Sequence, residues 1–542
     1  MAQIQFKGKP FVQNHHLLVK YHELIPKKDK SLTDKVSLHD NLIIHGDNLK
    51  ALKALLPLYA GKIKCIYIDP PYNTGNEKWA YNDNVNSPMM QEWLGKVVDR
   101  EDLTRHDKWL CMMMPRLKLL RDLLVEDGVI FISNDDNEQH RLRLLADDVF
   151  GEENFITNII WQKKFSPQND AKYFSDNHDF ILVYAKKKNL TGETNGWVRN
   201  LLPRTGEMDD RFSNPDNDPR GDWSSSDLSV KTYSEAYDYP IKTPSGKIIK
   251  PTKGRCWRTS KENLQKLIAD NRIWFGPNRD NVPRIKRFKT EVQAGLVPVT
   301  IWLHQEVGHN QEARQELKEI FPDVDFPFET PKPVRLIKRI LELSSDKGSI
   351  ILDSFAGSAT TAHAALALNK QDGGNRKFIM VECDEYADKT TAERVRRVIK
   401  GVKRAKDENL QKGLGGTFSY FELGKAIELE SILSGDGLPT YEELARYIFY
   451  TATGEEFDPK AMNEKKNFVG ESRNYKVYLF YEPDIEKLKN IALTLERAQT
   501  LGKPGEKRRL IFAPTKYLDQ AHLDELRIDF AQLPFEIYEL AR

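Results

Sequence analysis

The sequence predicts an open, mostly parallel α/β sheet with helices on both faces. Three observations carry that prediction. Seven apolar runs rich in β-branched residues end abruptly in polar or turn residues. Helical patterns separate many of those runs. The alternation breaks once, between about residues 190 and 325, in a stretch rich in Gly, Pro, Asn, Ser and Trp. Strand runs alternating with helical patterns imply βαβ units around a shared sheet.

The strand runs, in order, are NLIIHGD (41–47), KIKCIYIDPPY (62–72), GVIFISND (128–135), NIIWQKK (158–164), FILVYAKK (180–187), SIILDSFAG (349–357) and FIMVECDE (378–385). KWLCMMMPRLKLLRDLLVED (108–127) has apolar residues at helical spacing, interrupted by Pro115. PVRLIKRILELSS (333–345) and TTAHAALALNK (360–370) read as helices too. Thr330 followed by Pro331 predicts an N-cap with proline at the first helical position. Within the break, WFGPNRDNVPRIKRFK (274–289) clusters Arg284, Lys286, Arg287 and Lys289, so the break reads as an insertion carrying substrate contacts. A second basic run, ERVRRVIKGVKRAK (393–406), follows the last sheet strand. From about residue 415 a different segment begins, with YKVYLFY (475–481) and RLIFAP (509–514). Ligands of open sheets bind beyond the carboxyl ends of the strands. Asp47, Asp69, Asp353 and Glu382 stand at such ends and are the first candidates.

Length and composition bound the rest. The 542 residues suggest roughly three domains, and 39% hydrophobic with 30% charged residues fits a soluble globular protein. MAQIQFKGKPF lacks the apolar stretch of a secretory signal, and no apolar run approaches membrane-spanning length. Cys65, Cys111, Cys256 and Cys383 are scattered without a CxxC, which argues for a reducing cytosol and against a cysteine-based metal site. The net charge of +2 leaves nucleic acid open, because binding depends on where charge clusters.

CIYIDPPYNTG (65–75) holds the most informative turn. Proline after Asp69 pushes that residue toward extended geometry, and tandem prolines stiffen the turn. The Asp69 carboxylate and the Pro70 carbonyl become fixed acceptors, and Tyr72 offers a flat stacking surface. Two acceptors beside a flat face suit a planar ring bearing an exocyclic NH2, acting by orientation and electrostatics. By itself Asp-Pro-Pro is equally a strand-terminating turn. SIILDSFAGSATT (349–361) supplies the context as strand, glycine turn and helix. Asp353 ends the strand, and Gly357 and Ser358 let the backbone approach a ligand. It is neither GxGxxG nor a P-loop. Glu382, ending the next strand, is placed to accept from ribose hydroxyls.

DPPY, DSFAGS and the pair Lys332–Pro333 together resemble the S-adenosylmethionine-dependent amino DNA methyltransferases. Asp as the first residue of the tetrapeptide resembles the adenine-N6 enzymes. DPPY before the insertion and the Phe-x-Gly motif after it is the permuted order of the β class. DPPYNTGN, NPDNDPRGDW and the large C-terminal part resemble modification subunits of type III restriction systems. The resemblance covers residues 40–400 and, more loosely, the C-terminus.

The resemblance implies a Rossmann-like methyltransferase sheet in circularly permuted order. Runs 41–47, 62–72 and 128–135 become its strands three, four and five, 349–357 and 378–385 its strands one and two, and 158–164 with 180–187 its terminal hairpin. It implies an N-terminal segment (1–40), a catalytic half (41–189), a target-recognition insertion (190–325), a cofactor half (326–405) and a C-terminal α/β domain (415–542) for dimerisation or subunit contact. Asp69, Pro70, Pro71 and Tyr72 would hold a flipped adenine. Asp353, Ser354, Phe355, Ala356, Gly357 and Ser358 would line the methionine end of S-adenosyl-L-methionine, with Lys332 and Pro333 nearby. Glu382 would bind its ribose, and Asp47 would sit at its adenine edge. Ala359 stands where glycine is common, and Ser354 where proline or an aromatic is frequent.

The implied activity is methyl transfer to N6 of an adenine extruded from duplex DNA, by one in-line displacement without a covalent intermediate. Cytosine-C5 chemistry is disfavoured, because it needs a thiolate nucleophile and no cysteine follows a proline. Cytosine-N4 transfer, methylation of RNA, small molecules or protein glutamine, and a non-catalytic DNA-recognition subunit are the rivals. Trp161, Lys163 and Lys164 would contact the flipped nucleotide or a phosphate, or form a solvated edge. Arg284, Lys286, Arg287 and Lys289 would contact phosphates. No metal is implied. The expected partners are double-stranded DNA and a second copy of the chain; since no GxxxxGK[ST] is present, restriction activity would need a separate subunit, the alternative being a solitary enzyme. The expected location is the bacterial cytoplasm, at the nucleoid, with no membrane contact.

Overall fold

The computed structural model describes residues 4–74 and 104–533, apart from residues 168, 170, 190–195, 205–209, 293, 294, 326, 427–438, 454, 456 and 489. Two compact units divide the chain: Leu201–Val299, and the residues on either side of it.

The larger unit is built on a ten-stranded sheet. From one edge its strands are His22–Pro26, Ser419–Ala426, Leu42–His45, Lys377–Glu382, Ile350–Asp353, Ile63–Ile68, Leu124–Asn134, His178–Ala185, Phe155–Gln162 and Ile301–Trp302. The six strands from Ser419–Ala426 to Leu124–Asn134 are parallel. His178–Ala185 runs antiparallel to both its neighbours and forms the terminal hairpin. The seven strands expected from sequence therefore lie in the methyltransferase order 3-2-1-4-5-7-6.

Both faces of this sheet are covered. Ile66, Ile68, Ile130 and Ile132 join one apolar cluster with residues of the helices Asn48–Tyr59, Arg105–Leu123 and Gln139–Phe150. The alternate residues Cys65, Tyr67, Val129 and Phe131 are buried as well. Ser344, in the helix Val334–Ser344, donates to the Cys65 Sγ at 3.1 Å and so packs on that second face. Apolar residues at both parities are what doubly covered parallel strands require. Ile350–Asp353 and Ile63–Ile68 are neighbours whose chains leave in opposite directions across the sheet. Asp69 and Asp353 stand at the carboxyl ends of these two strands, at the switch point where such sheets bind ligands.

The structure departs from expectation in several elements. The helix at Pro115 is not interrupted; it runs from Arg105 to Leu123, opened by a capping box of Thr104 and Asp107. Thr330 caps nothing. The next helix begins at Val334 with Pro333 at its N-cap, because each residue before a proline is pushed to extended geometry, and Lys332 precedes Pro333. The inserted unit, Leu201–Val299, is narrower than 190–325, since Ile301–Trp302 pairs with Phe155–Gln162 at the sheet edge. Residues from 415 do not form a separate body: Ser419–Ala426 belongs to the central sheet, and His22–Pro26 pairs beside it. The C-terminal part adds a four-stranded sheet, Phe468–Glu471, Tyr475–Leu479, Arg508–Ala513 and Ile528–Gln532. Its helix Tyr441–Thr453 joins the main apolar cluster and sets Tyr447 edge-on to Tyr21 at 4.6 Å.

The inserted unit has its own small core of Leu228, Ile241, Trp257, Leu264, Ile273 and Phe275. A three-stranded antiparallel sheet, Ile273–Trp274, Arg284–Phe288 and Trp223–Asp227, is its largest element.

Candidate active site

A cavity of about 460 Å3 opens at the switch point. Asp69, Pro70, Pro71 and Tyr72 line it from one strand end, and Asp353, Phe355, Ala356, Gly357 and Ser358 from the other. Lys332, Glu382, Lys163, Lys164 and Asp179 are among the other polar residues of the lining, with Phe328 and Tyr386 as aromatic walls.

The Asp69 turn is held rigidly. The Trp109 indole N–H donates to the Pro71 carbonyl at 2.7 Å. Asn73, left-handed at φ 57°, donates to the buried carboxylate of Glu138. Asparagine tolerates that backbone region, and the bond fixes the exit from the turn. The Lys332 ammonium bonds Asp69 Oδ2 and lies 5.2 Å from the centre of the Tyr72 ring. Asp69 Oδ1 is buried and has no hydrogen-bond partner among the described residues. A buried lone acceptor is costly unless a ligand completes it. Burial, with Asp69 and Asp179 nearby, pushes the Tyr72 phenol well up, so it stays neutral and donates to Asp179 Oδ2 at 3.4 Å.

The second turn is a tight backbone loop. Asp353 Oδ1 accepts from the Phe355 N–H at 3.0 Å, and Oδ2 from the Thr361 hydroxyl at 2.6 Å. Burial pushes the Asp353 carboxyl up to about 7. Glu382 Oε2 accepts from the Gly357 N–H at 2.7 Å, and burial pushes this carboxyl up as well. Gly357 has φ 51°, and a Cβ there would meet Phe328 Cζ at 3.0 Å. Only glycine suits a position that combines this conformation with this approach.

Comparison with known proteins matches residues 63–393 to the family described as DNA methylase, N6_N4_Mtase. The chain belongs to this DNA methylase family. It is 35% identical over 402 residues to the type III restriction-modification enzyme StyLTI Mod subunit of Salmonella typhimurium, covering 72% of this chain and 59% of that one. It is 30% identical over 385 residues to the type II methyltransferase M.KpnI of Klebsiella pneumoniae, covering 67% and 84%. The chain thus spans somewhat over half the length of the Mod subunit. Among solved structures, an M1.HpyAVI–SAM complex is similar at 15% identity and a TM-score of 0.30, covering 65% of this chain and 99% of that one.

Several expected site residues of this protein lie elsewhere. Asp47 is not among the residues lining the cavity. Its carboxylate caps the helix Asn48–Tyr59 through the Lys50 N–H at 3.0 Å and lies 3.6 Å from Arg116. Ser354 is fully buried behind the turn, where its carbonyl accepts from Asn48. Pro333 serves as a helix N-cap, and Lys332 ends on the Asp69 carboxylate rather than beside the second turn alone. Trp161 is wholly buried and donates to the Gly308 carbonyl at 2.9 Å, so it offers no face to a nucleotide. Lys163 and Lys164 do line the cavity, with Lys163 paired to Asp179 at 2.7 Å and Asp176 at 3.0 Å.

In the inserted unit Lys286 is buried and bonds Asp216 and Asp218. It is a structural ion pair, not a phosphate contact. Hydrogen bonds from Arg220 and Lys286 hold the Asp218 carboxyl well below its usual range. NPDNDPRGDW is thereby the hub of this unit. Arg284, Arg287 and Lys289 are exposed. Gly75 and Asn76 of the DPPYNTGN motif lie outside the described residues. Sequence reasoning missed Trp109, Glu138, Asp179 and Phe328, which reach the site from distant elements and carry no local motif. Among the described residues no helix is long and apolar enough to cross a membrane.

Proposed function

We propose that this protein is a site-specific DNA methyltransferase that moves a methyl group from S-adenosyl-L-methionine to N6 of an adenine extruded from duplex DNA. One observation carries the reading: Asp69 Oδ1, an acceptor without a hydrogen-bond partner among the described residues, shares a cavity with the Asp353–Ser358 turn and Glu382. The residues present fit the cofactor. Glu382, a buried carboxylate, would accept from the ribose hydroxyls, the Gly357 turn would allow a close backbone approach, and the turn that begins at Asp353 would hold the methionine end. Bound there, S-adenosylmethionine supplies a methyl group activated by its sulfonium sulfur.

The chain's own residues do the positioning. Asp69 Oδ1 accepts an N–H of the amino group, and Lys332 fixes the other oxygen of the same carboxylate. Tyr72 presents a ring to the flat base, and Trp109 and Asn73 keep the turn from relaxing. Orientation and fixed dipoles of this kind supply most of the acceleration. No tuned general base is required, because the nitrogen sheds its proton late. Lys164, which lines the cavity, neutralises a phosphate of the extruded nucleotide, while Lys163 is held by Asp176 and Asp179; within the inserted unit, Arg284, Arg287 and Lys289 are exposed and neutralise DNA phosphates. The relatives' names support a modification subunit of a restriction-modification system. A homodimer and a separate restriction subunit are the proposed partners, and mass measurement in solution tests the first.

The test is transfer of labelled methyl from S-adenosylmethionine to DNA, with the product hydrolysed and identified. N6-methyladenine is expected, and N4-methylcytosine would reassign the base while keeping the role of Asp69. Asp69→Ala is expected to lower transfer by at least about a hundredfold while cofactor affinity holds. Retained transfer would sink the assignment of Asp69.

A further inference from the structure

The basic run 393–406 is not a free band of charge. Arg394 is fully buried. Arg396 pairs with Asp388 and Glu393, and Arg397 with Asp323 and Glu393. A π-helical turn, Ala387–Ala392, leads into the α-helix Glu393–Lys400. Such wide turns recur at functional sites. This one brings two side chains onto the Gly357 loop. The Thr391 hydroxyl donates to the Gly357 carbonyl at 2.6 Å. Arg394 Nη1 donates to the Ser358 carbonyl at 3.1 Å, the Ser358 hydroxyl at 3.0 Å and the Thr360 hydroxyl at 2.9 Å. Its Nη2 lies 3.3 Å from His363 Nδ1, which accepts from it.

The loop needs restraint at Ala359. That residue is left-handed at φ 59°, wholly buried, and immediately precedes the helix Thr360–Asp372. A Cβ disfavours this conformation, which is why glycine is the ordinary occupant. Alanine adopts it here between two residues that one guanidinium grips.

We propose that Arg394 is a positioning residue for the cofactor loop: by holding Ser358 and Thr360 it keeps Ala359 left-handed and the Gly357 N–H aimed at Glu382. The inference rests on the reading of this loop as the S-adenosylmethionine site. Arginine suits the task because its planar fork carries five donors in fixed directions, whereas lysine offers a compact point charge. Arg394→Lys keeps the positive charge that faces Glu316 but loses the fork.

The experiment compares wild type, R394K, A359G and the double variant without ligand, by hydrogen exchange over residues 355–361, and then by calorimetric titration with S-adenosylmethionine. R394K is expected to speed exchange in this loop and weaken cofactor binding, each by about tenfold, with the strand Leu124–Asn134 unaffected. Adding A359G to R394K is expected to recover most of both, because glycine removes the conformational cost that the clamp offsets. R394K with unchanged exchange and affinity overturns the proposal. So does loosening spread over the whole sheet that A359G fails to reverse, which would make Arg394 a packing residue. A wild-type protein that binds no S-adenosylmethionine would sink the cofactor reading alone, and the exchange data would still decide the clamp.

Discussion

Asp353 shows how far place alone can change a side chain. An aspartate in an unfolded chain titrates near ~3.9. In the fold, burial outweighs the hydrogen bonds from Phe355 and Thr361 and pushes this carboxyl up to about 7. The folded state therefore binds more protons than the unfolded state between those values. Stability falls as pH rises through that window and levels off above it. Asp353→Asn removes this component, so the variant's melting temperature relative to wild type is expected to climb from pH 5 to pH 8. Parallel pH profiles in thermal melts would refute a proton-holding Asp353. Legibility at this scale depends on whether the constraint is local. Asp69, Pro70, Pro71 and Tyr72 were readable because two prolines dictate the backbone beside them. Lys286 and Trp161 were not. In a strand one residue of parity decides which face a side chain takes, and the partners of Lys286 lie 70 and 68 residues away. Asp47 looked like a site residue because it ends a strand, yet it also precedes a helix, and the cap took it.

At the scale of elements, long periodic segments were legible and short edge strands were not. Ile301–Trp302 and His22–Pro26 are too short or too irregular to alternate, and only the register of a neighbour makes them strands. Ser419–Ala426 alternates no better in sequence, but it covers the edge of Leu42–His45, whose Leu42, Ile43 and Ile44 are completely buried. An open edge of that kind pairs with other chains. A chain stopped at residue 414 loses this strand and the helix Tyr441–Thr453 together. It is expected to melt about 10 °C lower or to aggregate, as read by thermal melts and light scattering. An unchanged melting temperature and a monodisperse sample would show that the C-terminal part is dispensable to the sheet.

At the scale of the whole molecule, strand order followed from motif order. With DPPY ahead of the Phe-x-Gly turn, the chain has to enter the seven expected strands at the third and return to the centre after the insertion; the observed order does so, with His22–Pro26 and Ile301–Trp302 added at the two edges. The insertion itself is different in kind. Its strands are mostly two residues long and its core is small, so periodicity had little to report there. Its ends do meet within the unit: Leu202 and Leu296 exchange backbone hydrogen bonds of 3.0 and 2.8 Å. A segment whose termini already pair is separable without stretching what remains. Replacing residues 203–295 by a short Gly-Ser turn is therefore expected to leave a folded protein that binds S-adenosylmethionine within about threefold of wild type. The same protein is expected to lose preference for any one DNA sequence, because the excised unit is the proposed target-recognition part, and to bind DNA more weakly, because the phosphate contacts of Arg284, Arg287 and Lys289 go with it. Calorimetry with the cofactor and methylation of a mixed DNA pool read the two outcomes separately. A shortened chain that fails to fold would make the insertion part of the core. One that still methylates a single site would move target recognition onto the sheet-bearing unit, where Lys163 and Lys164 would be the first residues to substitute.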